Sequence, residues 1–251
     1  MLVLFALLVG LVVGSFLNVV VYRYDQGGMS VFKPARSICP SCKHTLAWYD
    51  NIPVLSYLFL RGKCRYCGQK IAALYPFVES LTAGIFVLNA LVFGYSWELL
   101  GICILSASFI GVFFVDFRTH TISDDFSIAV AVGGVIIALA WGEFWWHALT
   151  AGIVFAFLWT LGFLVSRLRK RESLGMGDVW IFSAAALALG PFLVSIAILL
   201  SSVLGLVYAL LHGVSSGETI PFGPFIALGT YITLLCSPLL LPFFQGLLLV
   251  V

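Results

Sequence analysis

Apolar and polar residues do not alternate along this chain; they segregate into blocks. Apolar stretches run approximately over 1–22, 73–94, 99–115, 126–142, 147–166, 179–190, 192–211 and 222–243, and residues 244–251 are apolar as well. Most approach the roughly 20 residues a helix needs to cross a bilayer. In hydrocarbon a chain must satisfy its own backbone N–H and C=O groups, which makes each block a helix. The pattern predicts an all-α polytopic membrane protein with about eight transmembrane helices. The first block has the hydrophobicity of a signal peptide. It runs on without an evident small-residue cleavage site and reads as a retained helix.

Composition agrees with the pattern. Of 251 residues, 62% are hydrophobic and 10% charged, against about a quarter charged in soluble domains. The net charge of +2 says little, but its distribution says more. Arg23, Lys33, Arg36, Lys43, Arg61, Lys63, Arg65 and Lys70 lie between the first two blocks. Arg118 follows the third, and Arg167, Arg169, Lys170 and Arg171 follow the fifth. Threading eight spans with the amino terminus outside puts all 13 basic residues in cytoplasmic loops, as the positive-inside rule requires. The outside turns then hold Glu98, Glu143 and His147. The expected organisation is a first helix at 1–22, a cytoplasmic loop domain at 23–72 and a transmembrane core at 73–251.

The long loop carries Cys39-Pro-Ser-Cys42 and Cys64-Arg-Tyr-Cys67. Two such pairs fit a structural zinc site with four thiolate ligands, each pair supplying one knuckle. A segment of about fifty residues sits near the lower limit for an independent core, and a metal clip supplies the missing stability. Disulfides are the competing reading, and a reducing cytoplasm opposes them. Cys103 and Cys236 fall inside apolar blocks and read as packing residues.

With only 11 acids in the chain, each can be weighed. Asp25, Asp50, Glu172 and Glu218 fall in cytoplasmic loops, Glu79 a turn or two into the second span, and Asp124 and Asp125 where acids cap a helix. Asp116 is different. It ends the third block, where a carboxylate meets the negative end of the helix dipole. Asp178 opens the sixth block behind Gly175 and Gly177, in Gly-Met-Gly-Asp. From Asp178 to the Gly190-Pro191 break is about 18 Å of helix, short of a bilayer of roughly 30 Å, so Asp178 is expected below the membrane surface. Two intramembrane acids on one side suggest an aspartic protease dyad sharing one proton. The helix ends would then favour charge on Asp178 and the proton on Asp116. Two other readings fit less of the sequence. One is a polytopic transporter with Asp116 and Asp178 as ion-coupling sites; the other is a scaffold built around the zinc loop. His44, His120, His147 and His212 form no ligand cluster in sequence.

Along nearly its whole length the chain resembles type IV prepilin peptidases. The resemblance rests on GSFLNVVVYR (Gly14–Arg23), RSICPSC, DNIPVLSYLFLRGKCRYC, YPFVESLTA, Asp116 with Ile-Ser-Asp six residues later, GMGD, and PFGPFIALG at 221–229. It implies an intramembrane aspartic peptidase of the glycine-x-glycine-aspartate type, a hydrolase whose catalytic pair maps to Asp116 and Asp178. Cys39, Cys42, Cys64 and Cys67 map to the family's zinc motif. The implied partners, besides the lipid bilayer, are type IV prepilins and the pseudopilins of type II secretion or DNA uptake. Their short basic leader is cut off at the cytoplasmic face of the bacterial inner membrane; no nucleic-acid partner is expected. Many members also act as methyltransferases on the new amino terminus, with S-adenosylmethionine as cofactor, and that part comes from the resemblance alone. Two departures stand out: Ser123 where the family often has proline, and Trp180 where it commonly has lysine.

Overall fold

The structure is a computed structural model. It describes residues 1–25, 36–170, 174–213 and 220–248, without the side chains of Asp25 and of residues 243–248. Lys33, Arg171, Glu172 and Glu218 lie outside the described residues. Those described are helical apart from turns and two isolated β-bridges, Ile38 with Thr45 and Lys63 with Lys70.

The α-helices among them are α1 (Leu2–Asp25), α2 (Leu55–Phe59), α3 (Leu74–Phe93), α4 (Trp97–Thr119), α5 (Asp124–Ala140), α6 (Phe144–Arg169), α7 (Met176–Leu211), α8 (Gly223–Leu235) and α9 (Ser237–Leu248). Five are long and apolar enough to cross a membrane: α1, α3, α4, α6 and α7. Helix α5 has 17 residues and α8 has 13. The last apolar block, expected as a single helix, divides into α8 and α9 at Cys236.

Helix α7 covers two apolar blocks and leaves helical geometry between them, at Gly190 (φ 67°, ψ −174°). The chain reverses there. Phe222 lies 6.3 Å, ring to ring, from Phe182 before the break, and it also packs against Gly205 after it. A straight helix would hold residues 182 and 205 about 35 Å apart. Only glycine takes this positive φ without strain, and a Cβ at 190 would stand 2.8 Å from His147 Nε2. Pro191, lacking an N–H, deprives the Leu187 carbonyl of its helical donor. His147 replaces that donor: its Nδ1 lies 2.8 Å from the Leu187 oxygen, which fixes the proton on Nδ1. The sequence places His147 in an exterior turn; the folded chain buries it to 2% exposure.

Packing groups the chain into two units, Met1–Tyr95 and Ser96–Val251. In the first, α1 lies on α3 through Gly10 and Gly14, a small-xxx-small pair. A Cβ at Gly10 would come within 2.6 Å of the Ala83 backbone, and one at Gly14 within 2.7 Å of Glu79 Cα. Asn18 Nδ2 donates to the Tyr75 carbonyl at 3.0 Å. This close approach joins α3 to α1 in one packing unit. In the second unit α7 packs against α5, α6 and α8, and α4 against α5 and α8.

Candidate active site and four-cysteine cluster

Asp116 lies in the last turn of α4 and Asp178 in the first turn of α7. Both belong to the second unit, and the fold brings them within electrostatic range of each other. Asp116 is 4% exposed; Asp178 is half-buried. Helix α4 ends immediately beyond Asp116, at His120, in left-handed geometry (φ 53°) with its N–H on the Asp116 carbonyl at 2.9 Å. The imidazole of His120 bears electrostatically on the Asp116 carboxylate.

A third element completes the site. The Gly223 N–H, at the amino end of α8, donates to Asp116 Oδ2 at 2.8 Å. A Cβ at residue 223 would meet that oxygen at 2.8 Å and Val112 Cγ1 at 3.0 Å, so the approach needs a residue with no side chain. The free amino end of a helix favours negative charge through its unsatisfied N–H groups. Asp116 therefore faces the positive end of one helix while standing at the negative end of another. The backbone amide of Gly175 faces the Asp178 carboxylate. With one backbone amide facing each carboxylate, helix ends no longer distinguish the two acids, contrary to the asymmetry expected from the sequence.

The two glycines of GMGD differ in their work. Gly177 lets α7 approach the 120–123 turn: a Cβ there would lie 3.0 Å from Ile122 Cβ. Gly175 is the N-cap residue and supplies the amide facing Asp178. Ser123 accepts the Asp125 N–H at 3.3 Å and is the N-cap of α5. Asp124 and Asp125, expected as caps, are first-turn residues instead. Trp180 packs against Phe155 of α6, the two rings tilted with centroids 4.9 Å apart.

The four cysteines form a second site, in the first unit. The sulfurs of Cys39, Cys42, Cys64 and Cys67 all lie within 4.8 Å of one another, with Cys39 and Cys67 4.0 Å apart. Tetrahedral zinc with Zn–S near 2.3 Å needs sulfurs about 3.8 Å apart. The two loops are built alike. The Cys39 N–H donates to the His44 carbonyl and the Lys43 N–H to the Cys39 carbonyl; Cys64, Gln69 and Gly68 repeat both bonds at 2.8–2.9 Å. Lys43 and Gly68 each turn the chain at positive φ. His44 of one knuckle packs against Tyr66 of the other, ring centroids 3.7 Å apart and tilted, and Arg65 pairs with Asp50 at 2.8 Å. All four thiols are free of disulfides. Burial raises the Cys39 thiol, but the Cys42 and Ser41 amides outweigh it and bring it down to about 7. The Gln69 amide lowers the Cys67 thiol, yet burial and the three neighbouring sulfurs prevail and push it up to about 11. Four sulfurs this close are spaced to share one cation. Cys103 and Cys236 lie apart and are half-buried.

Gly223 carries a function that reading the sequence missed. Its signal was the Pro-Phe-Gly-Pro stretch opening an apolar block, a helix start whose target only the fold reveals.

Comparison with known proteins finds relatives over most of the chain. Residues 8–93 match the bacterial peptidase A24 N-terminal domain and residues 103–210 the type IV leader peptidase family. A type 4 prepilin-like proteins leader peptide-processing enzyme of Escherichia coli O78:H11 is 36% identical over 245 residues, covering 90% of each chain. Prepilin leader peptidase/N-methyltransferases of Neisseria gonorrhoeae and Dichelobacter nodosus are 34% and 30% identical, covering 90% and 93% of this chain and 88% and 91% of theirs. No solved structure matches. With its carboxylates on α4 and α7 inside the matched region, the chain belongs to the type IV leader peptidase family, a family of proteases.

Proposed function

We propose that this multi-pass membrane protein removes the basic leader from type IV prepilins or pseudopilins, with Asp116 and Asp178 as the catalytic pair. The observation that carries the reading is the convergence of both carboxylates and the Gly223 N–H from three separate helices. One aspartate is ionised and takes a proton from water as the water oxygen bonds to the scissile carbonyl carbon. The other, protonated, gives its proton to the carbonyl oxygen. Collapse of the tetrahedral adduct breaks the C–N bond: the proton held by the first aspartate goes to the leaving nitrogen, and a hydroxyl of the adduct returns a proton to the second aspartate as the carbonyl re-forms. The products are a leader carboxylate and a free amine on the apolar helix. Gly223 and Gly175 position the two acids through their backbone amides.

Eight crossings follow if α5, the two arms of α7 and the α8–α9 segment each span. That topology, with the catalytic acids on the cytoplasmic side of the inner membrane, is supported by the basic residues and by exposed Trp97, Trp145 and Trp146 at the opposite helix ends. It makes 73–251 the membrane core, with the peptidase chemistry after Ser96. The reversal at Gly190 leaves about 18 Å of helix between Asp178 and the turn, which recesses Asp178 below the surface. Zinc in the four-cysteine cluster is structural, since four thiolates leave no open position for chemistry. Names of the relatives extend the proposal to N-methylation of the new amine with S-adenosylmethionine.

The test is cleavage of a prepilin by the purified protein in detergent. Asp116→Asn and Asp178→Asn should each abolish it; normal processing by either variant at equal abundance would exclude the dyad.

A further inference from the structure

The chain between the cysteine pairs, Trp48 to Lys63, holds a dense group of exposed apolar side chains. Leu55, Leu58 and Phe59 are 52%, 63% and 83% exposed. Their spacing of i, i+3 and i+4 puts them on one face of α2. On a loop surrounded by water such a face has no reason to exist.

Its position explains it. The Val54 N–H donates to Glu79 Oε2 at 2.7 Å, and Glu79 is a buried residue of α3, about 7.5 Å along that helix from Leu74. Val54 is held there in left-handed geometry (φ 61°, ψ −47°), which a β-branched residue adopts only when its surroundings force it. The start of α2 is thus clamped to the side of a membrane-spanning helix, at the depth where interfacial helices rest. Directly after α2 come Arg61 and Lys63, both exposed and without an ion-pair partner among the described residues. Asp50, the nearby acid of this segment, is already engaged by Arg65.

We propose that α2 is a lipid-embedded anchor. Leu55, Leu58 and Phe59 enter the acyl boundary beside α3, and Arg61 and Lys63 bind anionic phospholipid headgroups above them. The occupant is lipid because the flanking charge is positive, and because α2 is tied at Glu79 to the end of α3 that also leaves Phe77 55% exposed. Glu79 is the positioning residue that sets the depth. The anchor holds the cysteine-bearing loop against the bilayer and is independent of the peptidase chemistry.

The experiment places a photoreactive benzoylphenylalanine at position 58, 59 or 91 of the full chain, in nanodiscs with equal phosphatidylcholine and phosphatidylglycerol. Adducts are identified by mass spectrometry. Positions 58 and 59 should both yield phospholipid adducts comparable with those at 91, enriched in phosphatidylglycerol. Basic residues at an anionic surface are worth roughly fivefold each, so Arg61→Gln with Lys63→Gln should erase the enrichment while adducts persist. Adducts to protein, or none at 58 and 59 where 91 reacts, would overturn the anchor. Enrichment unchanged in the double variant would overturn the headgroup contact. Glu79→Gln supplies a separate reading: it weakens the clamp and should lower the yield at 59 but not at 91, and equal yields would remove Glu79 from the model of depth control.

Discussion

Gly223→Ala tests the catalytic geometry at its tightest point. The added methyl would start 2.8 Å from Asp116 Oδ2 and 3.0 Å from Val112 Cγ1. Ordinary contact begins near 3.4 Å, so the carboxylate or the start of α8 must give by about 0.6 Å. Either movement stretches the 2.8 Å bond from the Gly223 N–H. A hydrogen bond to a charged group is worth about 1.5–3 kcal/mol, and a displacement approaching 1 Å at a reacting group can cost about 10²-fold. Those figures agree, since about 2.7 kcal/mol is 10²-fold in rate. We expect kcat/KM for prepilin cleavage to fall by roughly 10²-fold, chiefly in kcat, because the contact positions a reacting group. The assay is initial-rate cleavage by purified protein, with thermal unfolding as a check that the helix bundle survives. Activity within about threefold of the unaltered protein, under 0.7 kcal/mol, would show that the Gly223 contact does not position the acid.

Three further outcomes follow from the same structure. Cleavage should show a bell-shaped pH profile: activity is lost at low pH as the second carboxylate takes a proton and at high pH as the shared proton leaves. A flat profile from acid to neutral pH would contradict a proton-sharing pair. Zinc binding to metal-free protein should release protons and strengthen as pH rises, because Cys67, held up at about 11, is protonated at neutral pH and must ionise to bind. Competition with a chelating dye at pH 6 and 8 would measure it, and pH-independent affinity would argue against thiolate ligation. His147→Leu strips the Leu187 carbonyl of its donor at the Gly190 reversal and should destabilise the protein by about 1–3 kcal/mol. His147→Asn, able to donate from a similar place, should recover part of that loss in a thermal-unfolding series.

Periodicity and composition carried much of the fold. Blocks of apolar residues in a chain with few charges leave helices as the available way to satisfy the backbone, and the four cysteines announced their cluster because a knuckle is local: its bonds join residues four and five apart. The break at Gly190-Pro191 was legible for the same reason. Chain direction after the break was not. A glycine–proline pair interrupts hydrogen bonding, but whether the helix bends or folds back depends on Phe222 meeting both arms.

Long-range partners were out of reach of sequence because they depend on surfaces far apart in the chain. Asp116 stood out as an acid at the wrong end of a helix, and the resolution of that anomaly lay 107 residues away, in the N–H of Gly223. His147 read as an exterior turn residue until Pro191 left a carbonyl for it to serve. Glu79 was visible as an acid within a span, while the strained Val54 amide it holds belongs to a loop 25 residues earlier. Residue chemistry and local spacing singled out the two acids and the four cysteines that cluster; the packing of small residues, which lets helices close to within van der Waals contact, decided which backbone groups those acids would meet.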